Sequence, residues 1–356
     1  MKRFAFLIHP RDIRDVGRVK KLVWTKILPE KIVEKILLRL PPAVVCSRFD
    51  VFNKREGYLV AVPLTAKQML ELPLQFVRKR ILEAALFAQN KLGAELIGLG
   101  ALISSVTKKG IWLSERAEIK VPITHGDSYA VGITQQGIKK IVELLRIDDP
   151  KIAIVGAYGL ISSAIAKLLC KDFSLILVGR NELKLKKLEK EVRKINPQAH
   201  LLLSRWIPDV NKAEIVITAT NASDSILRPE YLKPNAIIYD IAQPKNVSFQ
   251  LLKKRPDVIY IDGGLANING IQLGFEMGTP QGTTFSCVAE TILQALEDDK
   301  ESHVGEISLE FVKEVKNRAE KYGFSHAPFT CFGRAIIIEE KSKVFTSYLE
   351  AKKAIP

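Results

Sequence analysis

Lys151-Ile152-Ala153-Ile154-Val155-Gly156-Ala157-Tyr158-Gly159-Leu160-Ile161-Ser162-Ser163-Ala164-Ile165 is the stretch on which the reading of this chain turns. Four consecutive apolar residues run straight into a glycine-bearing turn, and small and apolar residues then recur at helical spacing. A strand buried on both faces reads as such an unbroken apolar run. The order strand, glycine turn, helix aims free amides and the positive end of the helix dipole at the turn, which suits the pyrophosphate of a dinucleotide. Gly156 permits the tight turn, and Gly159 lets backbone approach phosphate. Ser162 stands where the usual pattern has a third glycine and is still small enough for close helix–strand packing. Gly156, Ala157, Tyr158, Gly159, Leu160 and Ile161 are therefore the expected cofactor-lining residues.

The alternation continues outward from that turn. Residues 175–178, 200–203, 214–218, 237–239 and 258–261 read as further strands separated by amphipathic stretches, the pattern of a doubly wound parallel sheet that binds ligands beyond its carboxyl edge. The second strand ends in Val178-Gly179-Arg180-Asn181, where an NAD-binding protein would carry an acid for the ribose hydroxyls. Arg180 instead offers a guanidinium to a 2′-phosphate, beside Asn181 and with Lys184, Lys186 and Lys187 near, so NADPH is the expected cofactor. Thr218 opens into Ala219-Thr220-Asn221-Ala222-Ser223, small polar residues suited to the nicotinamide ribose.

Before this region, residues 1–146 mix short strands with helices. Helices are expected over 30–40, 73–92 and 129–145, strands at 4–8 and 96–99, and a hairpin over 43–63. After Gly263-Gly264 come helices near 285–297 and 308–321. The expected architecture is α/β: a Rossmann-type doubly wound parallel sheet (149–265), an N-terminal α/β substrate domain (1–148) and a C-terminal helical segment (266–356). With 47% hydrophobic and 26% charged residues the composition is globular, which excludes long disorder and fibrous classes. A net charge of +15 creates a field that attracts anionic partners. No uninterrupted run of about 20 apolar residues exists, so no spanning helix is expected. The N-terminal apolar run is too short for a signal peptide.

Cys46, Cys170, Cys287 and Cys331 form no CxxC pair, so neither a metal site nor a disulfide framework is expected, and a reducing cytoplasm is the expected compartment. Cys287 lies in Thr283-Thr284-Phe285-Ser286-Cys287-Val288-Ala289-Glu290, at or just before a first helical turn. Free amides and the helix dipole there favour thiolate over thiol. That makes it a candidate nucleophile, with a buried structural cysteine as the alternative. Glu290, three residues on, is a candidate proton carrier or the acid half of a capping box. His125, in the turn Thr124-His125-Gly126-Asp127-Ser128-Tyr129, is a further candidate.

Taken together, these segments resemble the long-chain acyl-[acyl-carrier-protein] reductases of cyanobacteria. The likeness rests on Phe6-Leu7-Ile8-His9, 99–105, Gly126-Asp127-Ser128, 155–163, Val178-Gly179-Arg180-Asn181, Asp240 with Pro244-Lys245-Asn246, Gly263-Gly264, 285–290 and Lys321-Tyr322-Gly323-Phe324. It implies NADPH-dependent reduction of a fatty acyl thioester to an aldehyde through a thioester on Cys287. It also implies an acidic acyl carrier protein or acyl-CoA as partner, and a cofactor role for Asp240. Tyr129 takes the position of that family's histidine as proton donor. Stable nucleic-acid binding is not expected, and peripheral membrane contact stays open. Glutamyl-tRNA reductase is similar in 240–244, but its Ser-Cys-Asn-Arg is replaced here by Cys46-Ser47-Arg48. Shikimate dehydrogenase is similar in Arg180-Asn181, so an NADP oxidoreductase like either of these two, or a non-catalytic NADPH-binding regulator, is the alternative function.

Overall fold

The computed structural model describes residues 1–220, 226–242 and 245–337. The N-terminal sheet contains β1 (Lys2–Ile8), β2 (Val44–Val51), β3 (Arg55–Ala61), β4 (Ala94–Leu99) and β5 (Ile123–Thr124), in the order β2-β3-β1-β4-β5. Only the β2–β3 hairpin is antiparallel. Its turn is tight: Phe52 and Asn53 both take positive φ, and β3 begins at Arg55. Helix α1 (Glu30–Arg39) belongs to a flap over the sheet's edge, and α2 (Leu74–Asn90) covers one face with Val77, Ile81, Ala84, Ala85 and Ala88 buried.

Helix α3 (Asp127–Leu145) leads into the second sheet, formed by β6 (Lys151–Val155), β7 (Ser174–Val178), β8 (Leu201–Ser204), β9 (Ile215–Thr218), β10 (Ile237–Asp240) and β11 (Ile259–Asp262). All pairings are parallel and the order is β11-β10-β9-β6-β7-β8, the doubly wound arrangement expected. Helix α4 (Leu160–Leu169) follows the glycine turn, and α5 (Glu182–Ile195) is capped by Asn181, whose side chain accepts from the Lys184 amide.

The segment after 265 is not simply helical. Strand β12 (Leu265–Asn267) pairs antiparallel with β13 (Thr283–Phe285) and β14 (Ser325–His326), and the helices are α6 (Ser286–Leu296) and α7 (Leu309–Lys321). Helix α6 returns to the N-terminal sheet: Val288, Ala289, Ile292 and Leu293 share one core with Phe4, Phe6, Tyr129 and Ile133. Every residue of α6 except Cys287 is buried. The chain thus closes its N-terminal core with a helix drawn from its far end.

The approach of α6 to β4 depends on Gly98, where a Cβ would lie 2.2 Å from Thr291 Oγ1 and 2.5 Å from Phe6 Cδ2. Gly98→Ala is therefore expected to cost about 2 kcal/mol through overpacking. The midpoint of urea-induced unfolding measures it, and an unchanged midpoint would show that the two elements part without cost.

Candidate active site

A cleft opens between the N-terminal sheet and the carboxyl edge of the second sheet. Its lining is largely apolar, with Phe6, Val16, Leu22, Phe275 and Met277 among the wall residues, and it also holds Arg11, Asp15, Lys109, Asp127, Thr220 and Cys287. Cys287 is the second residue of α6, whose N-terminus carries no side-chain cap. The 124–127 turn lies directly on it: a Cβ on Gly126, which has φ +72°, would fall 2.5 Å from Cys287 Cβ. Asp127, the first residue of α3, is placed beside the thiol by that contact. Lys109 reaches the same point from a turn in which Lys108, Lys109 and Gly110 all have positive φ, and its Nζ lies 3.4 Å from Asp127 Oδ2.

The thiol is not pre-ionised. Burial, with the negative charge of Asp127 adding to it, pushes Cys287 up to about 12, so the helix terminus does not yield the thiolate that position alone suggests. Glu290 is fully buried and does not line the cleft. Its Oε2 accepts from the Tyr129 amide at 2.6 Å and its Oε1 from Thr124 Oγ1 at 3.1 Å, so it caps α3 from across the molecule and forms no capping box on its own helix. Burial raises it to about 7. Tyr129 is 1% exposed and packs in the core under α6, its phenol raised by burial, so it does not present a proton donor to the cleft. The His125 ring is buried, burial holds it below the usual imidazole range, and Nδ1 accepts from the Asp127 amide at 2.9 Å. It shapes the turn and does not line the cleft. Lys109 and Asp127 are the residues that pattern reading missed, the second quoted in the His125 turn and in a resemblance but given no role.

The glycine turn fits a dinucleotide. Gly156 has φ +74°, and a Cβ there would meet Thr220 Cγ2 at 2.6 Å, so the backbone stays open to a ligand. Helix α4 starts at Gly159 without a side-chain cap, leaving the Leu160 and Ile161 amides for phosphate. Ser162 Oγ is buried and has no hydrogen-bond partner among the described residues. The Gly156 and Ala157 amides, by contrast, donate to Val178 O and serve the sheet. Arg180 is exposed at the end of β7, and Lys184 lies over the Tyr158 ring, while Lys186 and Lys187 pair with Glu182 and Glu191 on the helix face. Ala219 and Thr220 line the cleft; 221–223 lie outside the described residues, as does Pro244. Thr218 and Asp240 turn inward instead. Asp240 accepts from Thr218 Oγ1 (2.7 Å), the Ala242 and Asn246 amides and the Tyr260 hydroxyl, and so organises the loop after β10 without facing a cofactor.

The family model that matches is that of shikimate / quinate 5-dehydrogenase, over residues 137–262. Residues 151–262 are an NAD(P)-binding domain. Among curated relatives, the aminotransferase PigE of Serratia sp. is 29% identical over 79% of this chain and 33% of its own length. A glutamyl-tRNA reductase of Picosynechococcus sp. is 29% identical over 45% of this chain and 38% of its own. The chain thus spans about a third of the length of these relatives. A solved shikimate dehydrogenase bound to NADP+ aligns over 90% of this chain and 96% of its own, at 14% identity and a TM-score of 0.42. These matches overturn the resemblance to acyl-[acyl-carrier-protein] reductases: the matching model is a dehydrogenase and the sequence relatives are an aminotransferase and glutamyl-tRNA reductases.

Two outcomes follow from the charges. Glu290 titrates higher folded than unfolded, so the fold favours its protonated form. Its contribution to stability is complete below about 4.5 and falls as pH rises to about 7. The wild-type chain should show this decline in urea midpoints and Glu290→Gln should lack it; parallel profiles would remove the argument. Alkylation of Cys287 by iodoacetamide should be slow at neutral pH and accelerate in Asp127→Asn, because one of the charges that raises the thiol is gone.

Proposed function

We propose that the protein is an NADPH-dependent reductase that takes an acyl group onto Cys287 and releases it as an aldehyde. The observation that carries this reading is the convergence of the half-buried Cys287 at the start of α6, the Lys109–Asp127 pair and the edge of the nucleotide-binding sheet in a single cleft, which Cys46 also lines. Arg180 favours the 2′-phosphorylated cofactor, and the largely apolar lining favours an acyl group with a hydrocarbon portion. The dinucleotide, bound on the Gly156–Ile161 turn, would supply hydride.

The residues of the chain do the rest. Asp127 accepts the thiol proton as Cys287 Sγ forms its bond to the acyl carbon, so a thiol of high pKa is activated only when a substrate is present. The acyl donor's bond to its leaving group breaks, and that group departs with the proton. Uncapped amides at the start of α6 stabilise the oxygen anion that develops. After hydride addition the hemithioacetal oxygen is protonated by Lys109, and collapse frees the aldehyde and restores the thiol.

The Lys109–Asp127 pair also favours a second reading, since it could exchange a proton with the hydroxyl of an alcohol substrate without any use of Cys287. The match to a shikimate / quinate 5-dehydrogenase model supports it. Intact-mass analysis separates the two. Incubation with an acyl thioester in the absence of NADPH should give an acyl adduct that Cys287→Ala abolishes while leaving NADPH binding unchanged. An alcohol-oxidising activity that survives Cys287→Ala would sink the thioester reading. Arg180→Ala should weaken NADPH binding roughly tenfold, about 1.4 kcal/mol, and leave NADH binding unaltered; equal losses for both cofactors would refute the assignment of Arg180.

A further inference from the structure

The flap over the cleft comprises a short helix at Ile13–Val16, a 3₁₀ segment at Lys20–Ile27, and α1. It closes on a small core of its own, in which only Val16, Val33 and Leu37 are fully buried. Val19 and Leu22 point into the cleft. Outside, Val23 is 51%, Trp24 49% and Ile27 87% exposed, and α1 adds Ile32 at 45% and Leu38 at 38%. Single exposed apolar side chains need no explanation, but five within residues 23–38 do. The same stretch is strongly basic: residues 18–39 hold seven Lys and Arg against two Glu. Lys26, Lys31, Lys35 and Arg39 are exposed, and one of the two acids, Glu34, is already paired with Lys67.

A run of exposed apolar side chains that includes tryptophan, interspersed with long cationic side chains, suits the boundary between headgroups and acyl chains of an anionic bilayer. Each cation near such a surface adds attraction, and aliphatic stems of Lys and Arg tolerate the boundary. A second copy of the chain would set like charge against like charge. A folded acidic protein would answer the charge but offers no acyl phase to Ile27.

We propose that this flap docks the protein on an anionic membrane surface, with Val23, Trp24 and Ile27 entering the headgroup region and the surrounding Lys and Arg meeting lipid phosphates. The inference stands whichever reaction the cleft performs. It also sets the flap's inner wall, Val19 and Leu22, one layer from the bilayer.

Co-sedimentation of the full chain with lipid vesicles tests this. Binding is expected to vesicles of phosphatidylcholine containing phosphatidylglycerol, to fall at least severalfold on phosphatidylcholine alone, and to fall as salt is raised. The Val23→Ser/Trp24→Ser/Ile27→Ser variant should lose partitioning by roughly tenfold or more. Its unfolding midpoint and cofactor binding should stay unchanged. Should that variant fold poorly, Lys26→Glu/Lys31→Glu/Lys35→Glu reads the charge component alone. Absence of wild-type binding to the anionic vesicles overturns the proposal, as does undiminished binding by a folded variant. A concentration-dependent dimer in vesicle-free buffer that the serine variant abolishes would show that a second copy covers this face, and overturns it equally.

Discussion

The site depends on one buried carboxylate. Glu290 lies on α6 but its two oxygens are spent on Thr124 and on the first turn of α3, 166 and 161 residues away in sequence. A carboxylate without solvent is costly unless donors replace its water, and here an uncapped helix terminus supplies one of them. The bond fixes the 124–129 turn against the start of α6, so that Gly126 rests on the Cys287 backbone with no room for a side chain. Asp127 and Cys287 owe their proximity to that clamp. The partial neutralisation of Glu290, raised by burial to about 7, follows from the same confinement.

How much of this the sequence discloses depends on whether the information is local. Strands β6, β7, β9, β10 and β11 are legible because a strand covered on both faces reads as an apolar run, and the glycine turn is legible because its backbone conformation excludes side chains. The two-residue strand β5 and the short strands β12 to β14 carry too few residues for any periodicity. Helix α6 is legible as a helix, but its place in the N-terminal core is not, since nothing in 286–296 names Phe4 or Phe6 as neighbours. Glu290 stands three residues after Cys287, the spacing of the acid in a capping box, but the helix is preceded by Phe285 as its N-cap. Tertiary packing turned the carboxylate toward α3 instead. Asp240, read through resemblance as cofactor-facing, is consumed by the loop it holds.

The dipole argument for Cys287 fails for an energetic reason. A helix terminus typically contributes on the order of 0.3–1 kcal/mol to a nearby anion, whereas desolvating a thiolate can raise its pKa by several units. Burial wins, and Asp127 adds repulsion in the same direction. Position at a helix start is thus a poor guide to thiol ionisation unless exposure is known.

That outcome reshapes the chemistry the cleft can support. A resting thiolate in an apolar cavity would be exposed to oxidation and alkylation with no substrate present. In the proposed reaction the thiol stays protonated until a base takes its proton, and Asp127, whose charge suppresses ionisation, is also the carboxylate beside it. The two roles are compatible: proton transfer to Asp127 removes the negative charge that disfavoured the thiolate, so ionisation and charge relief are one event. Lys109 Nζ, 3.4 Å from Asp127 Oδ2, sets its ammonium group beside the carboxylate that is to receive the proton. In a cleft walled by hydrocarbon such charge couplings are stronger than at a surface. The three side chains therefore act as a unit, and the function of any one is defined by the protonation of the other two.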